Sequence, residues 1–245
     1  MSSISEPVKI HPKVYEGMRG VNNALPRRSA GERRPISRRA DLLSATRSRL
    51  ATEGHERVTL RMIAADCETT VQTVHNLIGN RKQVLGAVLI DHGQKLRQLV
   101  QECDDYPLLI FAFVDLMWHS ALIQPEFLRQ ATFIYAALDV DSYRPVQTAG
   151  LQFVRSALAD LRGRLRKGMS INALAEAMQS MIATALHDWA QGKIDLPELR
   201  KSLRVRAAML VLGAAKPDEC KVIETWLSME SKLSMESNLN DLNDE

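Results

Sequence analysis

From Ala40 almost to the end of the chain, apolar residues return at intervals of three and four, and nowhere do they settle into alternation with polar ones. One face of an α-helix repeats at that interval, whereas a half-buried strand needs every second residue apolar. Val84, Leu85, Val88, Leu89, Leu96, Leu99 and Val100 line one such face. Breakers interrupt the pattern at Gly54, Gly79-Asn80, 104–107, Gln124-Pro125, 139–145, 163–168, 192–197 and 213–217, leaving nine or ten pieces of helical length. The sequence therefore predicts an all-α fold.

Composition narrows the setting. With 245 residues, 45% apolar and 25% charged, the chain has the balance of an ordinary globular protein. Its longest apolar runs, Pro107 to Val114 and Ala207 to Ala215, are far shorter than the ~20 residues that span a bilayer, so no membrane partner is expected. The first thirty residues lack the apolar core of a secretion signal, and Cys67, Cys103 and Cys220 form no CxxC. Both features point to the cytoplasm and to reduced thiols.

Charge is unevenly spread. Residues 1–39 carry nine Lys or Arg against three Glu, and residues 218–245 carry two Lys against eight Asp or Glu. A basic end attracts polyanions, which makes nucleic acid the first partner to consider. The expected organisation is a flexible basic extension over 1–38, a DNA-binding domain over 39–90, a helical domain over 91–227 and an acidic tail over 228–245. The tail contains a six-residue repeat, LSMESK followed by LSMESN. In the extension, Arg27-Arg28, Arg33-Arg34 and Arg38-Arg39 are either solvated charges or a phosphate-binding arm.

Thr59 to Leu89 carries the chemistry. Thr59 caps a short helix with Met62, Ile63 and Cys67 inward and Ala64 small enough for a close helix crossing. Glu68-Thr69-Thr70 then makes a tight turn, Thr70 caps a second helix, and Val74, Leu77 and Ile78 fall on one side of it. Two short helices joined this way are either ordinary core helices or a helix-turn-helix, whose second helix enters the major groove.

The segment from Leu42 to Leu89 resembles the TetR family of bacterial transcriptional regulators. The residues that carry the resemblance are Leu50-Ala51-Thr52-Glu53-Gly54, Val58 to Ala64, Thr70, Thr73-Val74-His75-Asn76, and Asn80-Arg81-Lys82 opening a helix through Leu85 and Leu89. Glu68 stands where that family usually has glycine, His75 replaces its tyrosine and Ile78 its phenylalanine, while Arg47 and Arg49 interrupt the apolar face of the first helix. The resemblance implies phosphate contacts at Thr73, His75 and Arg81, and Lys82 fits beside Arg81 at a helix start. Base readout is expected from Thr69, Val71, Gln72 and Asn76, since amides pair with adenine and Val71 suits a thymine methyl. With the caps, the DNA-facing set is Thr59, Thr69, Thr70, Val71, Gln72, Thr73, His75, Asn76, Arg81 and Lys82.

Residues beyond 95 show helices and no motif. The resemblance implies a small-molecule effector pocket, with Phe113, Trp118, His119, Phe133, Phe153, Met178 and Trp189 as candidate liners or, equally, core. It also implies a homodimer formed by two late helices, about Ser170 to Ala190 and Leu196 to Leu212. Ala177, Met181, Leu199, Leu203, Ala207 and Leu210 are the candidate contacts, against an intramolecular role. No GxSxG, GxxxxGK, GxGxxG or HExxH occurs, and the six histidines show no ligand spacing. No enzyme, metal or cofactor is expected. The reading is a repressor released from a palindromic operator by a small molecule; the alternatives are a ligand-independent dimeric regulator and a helical adaptor without DNA binding.

Overall fold

The helices begin where short polar side chains can take up the free N–H groups of a first turn. In the computed structural model, which describes residues 35–103 and 106–227, α1 spans Pro35–Glu53, α2 Leu60–Asp66, α3 Val71–Leu77, α4 Arg81–Val100 and α5 Leu109–Ile123. Then come α6 (Pro125–Ala137), α7 (Val140–Ala157), α8 (Ile171–Ala190) and α9 (Leu196–Ala214). Residues 220–227 are also helical. Thr59, Thr70, Asp139 and Ser170 each accept the N–H three residues on, and Asn80 with Gln83 and Asp195 with Glu198 form reciprocal capping boxes. The described residues hold no strand, only one bridge between Leu165 and Ala215. The first two arginine pairs of the basic extension, Asp104-Asp105, and the acidic tail with its repeat lie outside the described residues.

The first helix starts earlier than its apolar pattern does. It opens at Pro35, whose missing N–H and fixed φ suit a first helical position, so Arg38 is a helical residue rather than the end of an extension.

The core is organised around α5, whose residues from Ile110 to Met117 are all buried, so it is covered on every side rather than along one stripe. It packs on α9, α4, α6 and α7. Helix α4, about 30 Å long by its residue count, lies along α7 and also supports α1. Gly93 permits the α4–α7 approach, because a Cβ there would stand 2.2 Å from the Phe153 ring. The N-terminal head comprises α1, α2, α3 and the start of α4, and Leu42, Leu50, Val58, Ile63, Val74 and Val84 are its buried centre.

The arginine that interrupts the apolar face of α1 is part of the core. Arg47 is 3% exposed, pairs with Asp91 on α4 at 3.0 Å and lies 4.7 Å from the Phe127 ring centroid on α6. Arg49 turns outward and grips Asp66 of α2 with two 2.7 Å bonds. A second buried pair, Arg204 on α9 with Asp115 on α5 at 3.1 Å, lies under Trp226, which stacks on Phe111 at 3.8 Å. Residues 220–227 are thereby pinned to the core.

The turn between α2 and α3 takes the form the sequence requires. Cys67 ends α2, and Glu68 adopts φ 49°, the left-handed region that costs a side-chain-bearing residue roughly 1 to 2 kcal/mol. Glu68→Gly is therefore expected to raise unfolding free energy by about 1 kcal/mol in urea denaturation, with the remainder lost to a freer unfolded chain. A destabilised variant contradicts the strain.

Candidate functional site

The head presents a helix with one buried side and one polar side. In α3, Val74 is fully buried and Leu77 and Ile78 pack on the core, which fixes the helix by its apolar residues. The opposite face is left exposed: Val71, Gln72, His75 and Asn76, with Thr70 at the cap and Thr69 and Thr73 half-covered. Thr70 Oγ1 lies 3.0 Å from Thr73 Oγ1 and accepts the Thr73 N–H. Gln72 Nε2 donates to Asn76 Oδ1 at 2.8 Å, one turn on. That bond consumes one amide hydrogen and one amide oxygen, leaving the Gln72 oxygen as acceptor and the Asn76 nitrogen as donor. Thr59 caps α2 by accepting from Met62 N. Arg57 and Arg61, which sequence reasoning did not single out, are exposed on either side of it.

The two basic residues at the start of α4 are already engaged. Arg81 is half-buried; its Nε donates to the Val58 carbonyl at 2.7 Å and its second nitrogen to the carbonyls of His55 and Glu56. It clamps the loop between α1 and α2 rather than standing free at the surface. Lys82 pairs with Asp139 at the start of α7, joining the head to the body at the surface. That ammonium and the Ser142 N–H hold the Asp139 carboxyl at about 2, below the usual carboxylate range.

Behind the head, α4, α5, α6, α7 and α8 line an open-mouthed cavity of about 700 Å³. Of the seven aromatic, methionine and histidine candidates, Phe113 and Phe153 line it. The other five lie elsewhere. Trp118 donates to the Leu196 carbonyl and faces Arg200, and His119 donates through Nδ1 to the Asp115 carbonyl. Phe133 sits near His55 at the head, Met178 is core, and Trp189 lies under Arg129, which caps the end of α8. The polar wall is made by residues the sequence did not mark: His92, Thr132, Tyr135, Tyr143, Gln179, Thr184 and His187. Tyr135 and Tyr143 straddle a break between helices, where each read only as one more apolar or turn residue.

The interface candidates divide. Leu199, Leu203 and Ala207 have 0% exposure, packed within the protomer where α9 meets α5 and α8, so they offer no surface to a second copy. Small and aliphatic residues serve close packing within a core as readily as between chains, and these three serve it within the protomer. Outward on α9 stand Val205 and Met209, the latter 64% exposed, with Leu210 half-buried beside them. On α8, Ala177 is exposed and Met181 half-covered.

No family model and no curated protein matches the chain. Solved structures do. SmeT, the repressor of the Stenotrophomonas maltophilia multidrug efflux pump SmeDEF, is 22% identical and aligns over 73% of this chain and 91% of its own, with a TM-score of 0.52. A TetR transcriptional regulator from Rhodococcus sp. RHA1 is 12% identical over 72% of this chain and 96% of its own, with a TM-score of 0.62. Thermus thermophilus FadR, a TetR-family repressor in complex with lauroyl-CoA, is 17% identical over 71% and 93%, with a TM-score of 0.59. At these identities the likeness is one of fold, and the chain has the fold of the TetR-family transcriptional regulators.

Burial of two histidines has a consequence for acid stability. Desolvation, with the nearby Arg47 and Lys95 charges, lowers His92 to about 3, and desolvation lowers His119 to about 4 against the pull of its hydrogen bond to Asp115. The unfolded chain protonates both near 6.5 and the folded chain does not. Stability is thus complete above about pH 6.5 and falls as the pH drops below it, by up to about 2 kcal/mol per histidine at pH 5. His92→Gln is expected to flatten the fall in melting temperature between pH 7 and 5; an unchanged slope contradicts the assignment.

Proposed function

We propose that this chain is a dimeric DNA-binding transcriptional regulator that reads operator DNA with α3 and is released from it by a small molecule in the cavity. The observation that carries the reading is the outward face of α3. Its linked Gln72–Asn76 pair offers one donor and one acceptor, the complement of adenine N7 and N6 in the major groove. Beside them Val71 is an exposed apolar side chain of a size to meet a thymine methyl. Thr73 and His75 stand at the edge of that face, placed for phosphates, and Lys82 joins them on leaving Asp139. Arg81 contributes by holding the loop between α1 and α2 in place. No group of three or more His, Cys, Asp or Glu that could hold a metal occurs among the described residues, and the proposal assigns neither catalysis nor a cofactor.

The release step needs a ligand that favours one arrangement of the heads over another. The effect is reciprocal: the factor by which ligand weakens DNA binding is the factor by which DNA weakens ligand binding. The cavity wall includes Leu89, His92, Gly93 and Leu96 of α4, the helix whose first turn carries the Arg81 clamp. A ligand that shifts α4 therefore acts on the head through a single rigid element.

DNA reading is tested by selecting random duplex fragments with the purified chain. The expected product is an inverted repeat with half-sites roughly 34 Å apart or a multiple of that. Gln72→Ala is expected to relax preference at one position per half-site, at about 1 to 3 kcal/mol, with little change elsewhere. Failure to enrich any sequence, or equal preference in the variant, refutes the role of α3.

Dimerisation is expected through the outward faces of α8 and α9. Met209→Glu places a charge on exposed apolar surface and is expected to yield a monomer in light scattering with an unchanged melting temperature at low concentration. A dimer that persists in Met209→Glu and Val205→Glu contradicts this surface.

A further inference from the structure

We infer that the cavity selects an uncharged, largely apolar ligand bearing a hydrogen-bond acceptor such as a carbonyl or ether oxygen, which docks at the Tyr135–Tyr143 hydroxyl pair. This rests on the reading of the cavity as an effector site and specifies its chemistry.

Charge is decided by what the wall lacks. No Asp, Glu, Lys or Arg lines the cavity. A cation bound against this wall finds no carboxylate and an anion finds no guanidinium or ammonium, so a charge that leaves water for the apolar wall goes unpaired and is disfavoured. The only other ionisable side chains in the wall, besides the tyrosines, are His92 and His187. His92 is kept neutral by its burial and by Arg47, so it does not substitute for a cation, and His187 lies eight residues, about 12 Å, along α8 from Gln179, out of reach of a group docked at the tyrosine pair.

Polarity is decided by counting hydrogens. Tyr135 and Tyr143 hydroxyls lie 3.0 Å apart and share one hydrogen bond, and Gln179 Nε2 donates to the Tyr135 hydroxyl at 3.3 Å. Two hydroxyls have two hydrogens. One is used between them and neither is needed toward Gln179, which is itself the donor. Whichever tyrosine donates to the other, one O–H is left over, so the pair offers the cavity a donor. The Gln179 amide spends only its nitrogen, on Tyr135 and on the Gln147 carbonyl, so its oxygen remains an acceptor beside the pair. The leftover tyrosine O–H is the donor, and a donor calls for an acceptor.

The site is also spatially built. Gly150 of α7 leaves the room that the Gln179 amide occupies, since a Cβ there would stand 2.6 Å from Nε2. Gln179 thus reaches Tyr135 only because position 150 has no side chain.

The test uses four probes of one apolar body: 2-acetylnaphthalene, naphthalene, 2-naphthoate and 2-naphthylmethylammonium. Their affinities for the full chain are measured by calorimetry without DNA. The ketone is expected to bind best, about three- to tenfold above naphthalene for one hydrogen bond, and at least about a hundredfold above both ions. In the Tyr135→Phe/Tyr143→Phe variant the ketone's advantage over naphthalene is expected to disappear while naphthalene itself binds as before. Either ion matching the ketone, no advantage of ketone over naphthalene in the parent chain, or no binding by any probe overturns the inference. The effector reading fails separately: the ketone binds as expected, yet saturating ketone leaves the affinity for selected DNA unchanged.

Discussion

A single buried ion pair sets how the two halves of the molecule meet. Arg47 comes from α1 in the head, Asp91 from the middle of α4, and the guanidinium lies over Phe127 of α6 in the body. Burial disfavours the arginine's charge, and Asp91 holds it against that cost. The two sides are not equivalent: Asp91 is partly exposed and also holds Lys95 at 2.8 Å, so losing Arg47 leaves it paired, whereas losing Asp91 strands the buried guanidinium, which is the costly change. The pair therefore acts as a register pin: α1 can dock on α4 in one position only, and the α2–α3 unit, tied to α1 through Arg49 and Asp66, follows.

Helix α4 then connects three tasks along one rigid length. Its first turn, capped by Asn80 and Gln83, holds the loop before α2 through Arg81. Its middle takes the Arg47 pair, and from Leu89 onward it forms part of the cavity wall, with His92 touching both. Under the proposed effector reading, a ligand against His92 lies one side chain from the pin between head and body, and α4 itself would carry a displacement at the cavity to the head. The Lys82–Asp139 pair closes the same connection at the surface, where solvent screening leaves it weaker.

Local chemistry was legible in the sequence to the residue. Thr59 and Thr70 cap the helices they were expected to cap, and the two late helices begin and end within a turn of their expected limits. These features depend on neighbours along the chain. The polar wall of the cavity, Arg81 as a loop clamp and Arg47 as a core residue were not legible, because each depends on partners 23 to 44 positions away or on another helix. The same holds for Leu199, Leu203 and Ala207. Periodicity places them on one face of α9 but is silent on whether that face meets α5 or a second chain.

The account stands on α3 as the surface that meets DNA, and amide hydrogen exchange with and without a selected duplex measures that most directly. Exchange is expected to slow across 59–82, most strongly over Thr70 to Asn76, while the buried amides of α5 keep their rates. Unchanged exchange over 59–82 in a chain that demonstrably binds the duplex contradicts the account and moves the contact to another face.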